Sequence, residues 1–147
     1  MAETANERIH IDASPEECLA VVLDFEHYPE WARDLKQVTI QETDGDGRGH
    51  LVEFRAAAMG QSFKYVLRYD YGDLPDSFSW VLDSGEKLRQ LDGTYRFEAE
   101  GDGTRVHYDL VVDLSIPLPG LIKRRAAGMI MGTALRELKK AVEARRQ

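Results

Sequence analysis

The residues able to do acid–base or nucleophilic chemistry are scattered along this chain. The four histidines are His10, His27, His50 and His107. No two have the His-x-x-x-His spacing that brings two ring nitrogens onto one metal from a helix, so no metal site is expected. The single cysteine, Cys18, excludes an internal disulfide and a cysteine-based zinc site. No serine sits in a nucleophile-elbow pattern. His10 and His107 fall on the polar side of alternating segments, and His27 lies in the exposed-looking stretch FEHYPEW. His50 has apolar-side parity but opens its segment beside a glycine-rich turn. Carboxylates fall on polar positions or in turns, with Asp92 opposite Leu91 and Tyr95. No catalytic residue stands out, and no cofactor is expected.

What remains is a set of aromatic side chains at alternate positions. Phe63, Tyr65, Leu67 and Tyr69 share one parity, with Lys64, Arg68 and Asp70 on the other. Val52, Phe54 and Ala56 oppose Glu53 and Arg55. Phe78, Trp80 and Leu82 share a parity, as do Leu91, Gly93, Tyr95 and Phe97. Val106, Tyr108, Leu110, Val112 and Leu114 oppose His107, Asp109 and Asp113. Several amphipathic rings on one curved surface suit a pocket that grips an apolar ligand through a few polar handles, with Arg89 or His50 at its rim. The same rings could fill a core, their hydroxyls bonded to backbone or to one another. The spacing leaves both open. A tyrosine with an ordinary pKa near 10 is a poor acid–base catalyst at neutral pH. A cyclase can still work by folding a reactive chain inside a shaped cavity.

The elements that must position these rings follow from periodicity. ERIHIDA alternates as a short strand. SPEECLAVVLD opens with Ser14 as N-cap, Pro15 in the first turn and Glu17 three residues after the cap, which is a capping box. EHYPEWARDL forms a second short helical stretch. From residue 36 the period is two: KQVTIQET, HLVEFRAAA, SFKYVLRYDY, SFSWVLD, KLRQLDGTYRFEAE and RVHYDLVVDLSI read as strands. DGDGRG, MGQ, DLPD, SGE and GDGT are the turns between them. PLPG ends the sheet, and one helix runs from about Leu121 to about Arg145. Six strands on short turns form an antiparallel meander, and the first strand makes about seven. The fold class is α+β: a curved antiparallel sheet wrapped on a long C-terminal helix, with two short helices after the first strand.

Charge is unevenly spread. The net charge of −7 disfavours nucleic-acid binding. Residues 121–147, in contrast, carry eight basic side chains against Glu137 and Glu143. Within that helix AAGMIMGTAL, residues 126–135, has no charge and holds Gly128 and Gly132. Ala127, Ile130, Met131, Ala134, Leu135, Leu138, Ala141 and Val142 fall on one stripe. The first half of the helix is apolar nearly all round, and neighbours on more than one side are expected there. The basic helix is a solvated face or a site of peripheral contact with a membrane or a protein. The polar start MAETANERIH has no signal-peptide core, and no apolar run approaches the ~18–20 residues of a membrane span, so a cytoplasmic location is expected.

Two stretches carry a family resemblance: IDASPEECLAVVLDFEHYPEW, and DGTYRFEAEGDGTRVHYDLVVDL followed by a proline-rich break and a terminal helix. They resemble the START-like helix-grip superfamily (SRPBCC), in its polyketide cyclase/dehydrase and coenzyme-Q-binding branch. The resemblance covers nearly the whole chain and implies a single START-like domain over residues 1–147. It implies a cavity between sheet and C-terminal helix that binds or transports a hydrophobic small molecule such as a lipid, a quinone or a polyketide-like compound. Trp31, Phe54, Tyr65, Tyr69, Trp80, Leu91, Tyr95 and Tyr108 are then expected to contact ligand. Met129, Ile130, Met131 and Leu135 would contact it too or close the mouth, and the two glycines would allow close approach of a loop or local opening. Plain packing of this segment is the rival reading. A polyketide aromatase/cyclase and a protein-interaction module are the alternative functions, and a monomer or weak dimer is expected.

Overall fold

The computed structural model describes residues 2–58 and 60–145. Met59, in the expected MGQ turn, and Arg146, in the basic segment, lie outside the described residues. The element order is β1 (Glu3–Ile11), α1 (Pro15–Val22), α2 (Tyr28–Trp31), β2 (Leu35–Thr43), β3 (Gly49–Ala58), β4 (Gln61–Asp70), β5 (Ser77–Gly85), β6 (Leu88–Glu100), β7 (Gly103–Leu114) and α3 (Gly120–Arg145). A single 3-10 turn, Phe25–His27, leads into α2. The seven strands form one antiparallel sheet in the order β1-β7-β6-β5-β4-β3-β2. This is the expected meander, with the first strand added beside the last.

The local sequence explains each boundary. Ser14 Oγ accepts from the Glu17 N–H while the Glu17 carboxylate accepts from the Ser14 N–H, so both halves of the capping box are formed. That cap directs Cys18, Val21 and Val22 inward. Thr104, fully buried on β7, donates its hydroxyl to the Ala13 carbonyl at 2.7 Å and fixes the entry of α1 against the sheet. The alternation read from the sequence sets the two faces. Phe54, Phe63, Leu67, Tyr69, Phe78, Trp80, Leu91, Tyr95, Phe97 and Tyr108 are buried on the concave side.

Two details shape that concave face. The β5–β6 ladder covers only Ser77–Trp80 against Gly93–Arg96. Past Trp80 the strands diverge, and Asp92 accepts the Leu82 N–H at 2.9 Å in place of a ladder bond. At Gly93 a Cβ would stand 2.3 Å from Trp80 Cζ2 and 2.9 Å from the Asp109 carbonyl oxygen. The missing side chain lets the Trp80 indole lie flat across β6.

Helix α3 buries Ala126, Ala127, Met131, Leu135, Leu138 and Val142. Its second half is tied to the end of β1: Asp12 N–H donates to Glu143 at 2.9 Å, and Lys139 Nζ donates to the His10 carbonyl at 2.9 Å and to Glu143 at 2.6 Å. The first half differs from expectation. Its outer side meets no neighbour, because Met129 is 53% exposed and a Cβ on Gly128 would touch nothing within 4 Å. A Cβ on Gly132 would meet only the Arg136 guanidinium, at 3.1 Å. The glycines therefore do not admit a loop, and the segment is uncharged without being enclosed. Among the described residues no helix is long and apolar enough to cross a membrane.

Candidate functional site

Between the concave face and α3 lies a cavity of about 190 Å³. Its floor comes from the sheet: Phe54, Tyr65 and Tyr69 on β3 and β4, Trp80 on β5, Leu91 and Tyr95 on β6, and Tyr108 on β7. One wall is the stripe Ile130, Thr133, Ala134 and Glu137 of α3. The segment leaving α2 closes another side with Trp31, Ala32, Asp34 and Leu35. The half-exposed lining residues Trp31, Leu35, Ala58 and Glu137, with exposed Asp34, mark the mouth. Across it Glu137 accepts from the Arg33 N–H at 3.2 Å and approaches the Arg33 guanidinium at 3.7 Å, so the α2–β2 link is pinned to α3 at the opening.

The lining is aromatic and largely apolar, with polar atoms left over. Tyr95 and Tyr108 have ring centroids 4.5 Å apart, and Trp80 meets Tyr108 edge-on at 5.6 Å. Phe54 stacks on Tyr65 at 5.3 Å. Tyr28 donates its hydroxyl to the Val22 carbonyl. Among the described residues the hydroxyls of Tyr65, Tyr69, Tyr95 and Tyr108 make no hydrogen bond within the protein, although all four side chains line the cavity. The indole nitrogens of Trp31 and Trp80 are buried without an acceptor. A buried polar group left without a partner costs about 1–3 kcal/mol. The two indole nitrogens are the buried donors left without a partner among the described residues, and the four tyrosines whose hydroxyls have no protein partner line the same space.

Burial pushes the Tyr28, Tyr69, Tyr95 and Tyr108 phenols well above their ordinary range, and repulsion from neighbouring phenolates adds to the shift. Tyr65 is raised by burial as well. All five therefore stay neutral through the physiological range and act as hydrogen-bonding groups. Among the described residues Asp34 and Glu137 at the mouth are the only carboxylates in the lining, which holds no histidine, cysteine, lysine or arginine. His10 bonds Glu100 at 2.6 Å, His27 bonds Asp24 at 2.8 Å, and His107 approaches Glu98 at 3.4 Å, all away from the cavity. His50, for all its inward parity, is held elsewhere: Nδ1–H donates to the Tyr69 carbonyl at 3.2 Å and Nε2 accepts from Arg68 at 3.3 Å. Among the described residues no cluster could hold a metal ion.

Nine of the expected contact residues stand in the lining: Trp31, Phe54, Tyr65, Tyr69, Trp80, Leu91, Tyr95, Tyr108 and Ile130. Three on α3 do not. Met129 faces outward, whereas Met131 and Leu135 are almost fully buried in the core. The helix phase decides this, because the cavity-facing stripe is 130, 133, 134 and 137 rather than the most apolar one. That i, i+3, i+4, i+7 pattern was present in the sequence, but Thr133 and Glu137 disguised it. Tyr28, Asp34, Leu35 and Leu114 were also missed. Tyr28 follows a 3-10 turn, where neither period applies, and Asp34 and Leu35 sit at a helix-to-strand junction.

Known proteins share this architecture. A family model described as polyketide cyclase / dehydrase and lipid transport matches residues 2–143. A START superfamily protein from Mycobacterium smegmatis is 25% identical, with 96% of this chain and 97% of that one covered and a TM-score of 0.89. A protein from Thermus thermophilus is 22% identical over the whole of both chains, with a TM-score of 0.80. The Zhui aromatase/cyclase from Streptomyces sp. R1128 is 14% identical, over 100% of this chain and 97% of that one, with a TM-score of 0.79. No curated protein matches in sequence. With a family model matched over almost its full length and a helix-grip sheet closed by α3, this chain belongs to the polyketide cyclase / dehydrase and lipid transport family.

Proposed function

We propose that this protein binds a compact, uncharged, hydrophobic molecule that carries oxygen acceptors, such as a small quinone or another one- or two-ring carbonyl compound. The observation that carries the reading is the ring of unpartnered donors around an apolar cavity. Tyr65, Tyr69, Tyr95 and Tyr108 offer neutral hydroxyls, and each hydrogen bond made to a ligand oxygen contributes about 0.5–1.5 kcal/mol. Size supports the compactness. The cavity of about 190 Å³ is little larger than the ~150 Å³ that holds a benzene ring and smaller than the ~300 Å³ at which drug-sized pockets begin. A long acyl chain would need the mouth to open further. Charge supports the neutrality. A ligand carboxylate would meet Asp34 and Glu137 at the mouth and would find no cation among the described lining residues.

The same proposal has the protein acting in the cytoplasm as a monomer or weak dimer, to hold or carry its ligand. An aromatase/cyclase role draws on the likeness to the Zhui enzyme. It would have to work by shape and tyrosine hydrogen bonds, since among the described residues the lining holds no histidine, cysteine or lysine. The test is native mass spectrometry of the purified protein with solvent extraction of bound material. A neutral ring compound at one per chain, lost in Tyr95→Asp, supports the proposal. A bound fatty acid, or no uptake of any quinone or aromatic ketone offered, refutes it.

A further inference from the structure

Four large apolar side chains stand exposed among the described residues, and three of them lie in the first half of α3: Leu121 at 53%, Ile122 at 40% and Met129 at 53%. At 100° per residue they share one side of the helix with Arg125 and Arg136. Between Ser115 and Arg136 the chain holds Lys123, Arg124, Arg125 and Arg136 and no acid. None of these four cations makes an ion pair among the described residues, and Arg136 only reaches the Thr133 hydroxyl at 3.5 Å. The second half of the same helix is different: Lys139 pairs with Glu143, and Arg145 with Asp24. Solvated helix faces usually keep their charges and shed large apolar groups, whereas this face joins unpaired cations to exposed leucine, isoleucine and methionine.

We propose that this face of α3 docks on an anionic lipid bilayer. Its apolar side chains would enter the boundary between headgroups and acyl chains, and its cations would meet the lipid phosphates. Charge decides the occupant. The whole chain is at −7, so an anionic surface repels it everywhere except at such a patch. Screening over ~8 Å at physiological salt hides the acids of the distant strands from the docked surface. Gly128 and Gly132 lie beside the exposed apolar side chains and add no bulk that would hold the helix off the surface. Ile130 and Thr133, on the adjoining side of the helix, line the cavity, so a docked helix brings the mouth close to the bilayer.

The experiment is co-sedimentation of the full chain with vesicles of phosphatidylcholine alone and with vesicles containing phosphatidylglycerol, at low and physiological salt. Partition onto the phosphatidylglycerol vesicles is expected, weakening as salt rises. Each unit of charge near such a surface changes partition about fivefold, so Arg125→Glu should weaken it twentyfold or more. Met129→Asp should weaken it as well, while Arg96→Glu, on an exposed sheet position, should leave it unchanged. The substituted positions are exposed, and far-UV circular dichroism checks that each variant folds. No partition by the wild type, equal partition onto neutral vesicles, or equal loss in Arg96→Glu would each overturn the proposal. Capture of an acidic protein without vesicle partition would overturn it too.

Discussion

Replacing Gly128 with alanine should make the protein more stable. Glycine inside a helix costs about 1 kcal/mol relative to alanine, because the unfolded chain has more freedom to lose. That cost is usually repaid by close packing, but the space where a Gly128 Cβ would stand is open to 4 Å. The full gain of about 1 kcal/mol should therefore appear. For a chain of 147 residues the unfolding entropy is about 0.3 kcal/mol per kelvin, so Tm should rise by about 3 °C. Gly132→Ala should gain somewhat less, since its Cβ would stand 3.1 Å from Arg136 Nη1, the mobile end of a side chain that can turn aside. The two together should raise Tm by about 5 °C in calorimetry or circular dichroism. Destabilisation by Gly128→Ala would refute the reasoning, because it would mean that something covers this face in the native state.

Other expected outcomes follow from single contacts. Gly93→Ala should cost about 1–3 kcal/mol by overpacking and push the Trp80 indole toward the cavity, so the tryptophan emission shifts and ligand affinity falls. Tyr95→Phe and Tyr108→Phe remove hydroxyls that belong to the cavity lining and have no partner in the protein; unfolding stability should hold or rise, while affinity for a carbonyl ligand drops about fivefold for each. Glu137→Ala breaks the link to Arg33 across the mouth and should speed ligand association and dissociation together in stopped-flow fluorescence. Glu100 is held below the usual carboxylate range by His10 and Arg105, and Glu143 by the Asp12 N–H and Lys139. A depressed folded pKa gives stability that is present above the unfolded value near 4.5 and lost as pH falls through the folded one. Unfolding titrations should therefore show stability declining below about pH 4.5, and Glu143→Gln should flatten part of that decline.

Much of the fold was legible because two simple periods govern it. The parity of Phe63 to Tyr69 and of Val106 to Leu114 fixed which rings face inward, and short turns left the meander as the natural topology. The Ser14–Glu17 cap was readable because its chemistry lies within four residues. The cavity wall on α3 was less legible. Apolar character points to Met131 and Leu135, yet they fill the core, and the lining stripe includes Thr133 and Glu137. The two faces stand roughly 130° apart around the helix, a little more than one residue's arc, and tertiary packing sets which of them meets the cavity. Gly128 misled for a related reason. Its type suggested a close neighbour, but only the folded arrangement shows that the space beside it is open. The unpartnered hydroxyls could not be foreseen either, since partners are absent or present only once the sheet has curled.

Both tryptophans of the chain, Trp31 and Trp80, line the cavity, so their fluorescence reports its occupancy directly. The most direct test of the account is a quenching titration with the two-ring quinone menadione beside 1-naphthoate, a carboxylate of similar size. Saturable one-to-one quenching by menadione, weakened in Tyr95→Phe and far weaker for naphthoate, is the predicted result. Tighter binding of naphthoate, or menadione quenching that never saturates, would contradict the claim that this cavity is built for a compact, neutral oxygen acceptor.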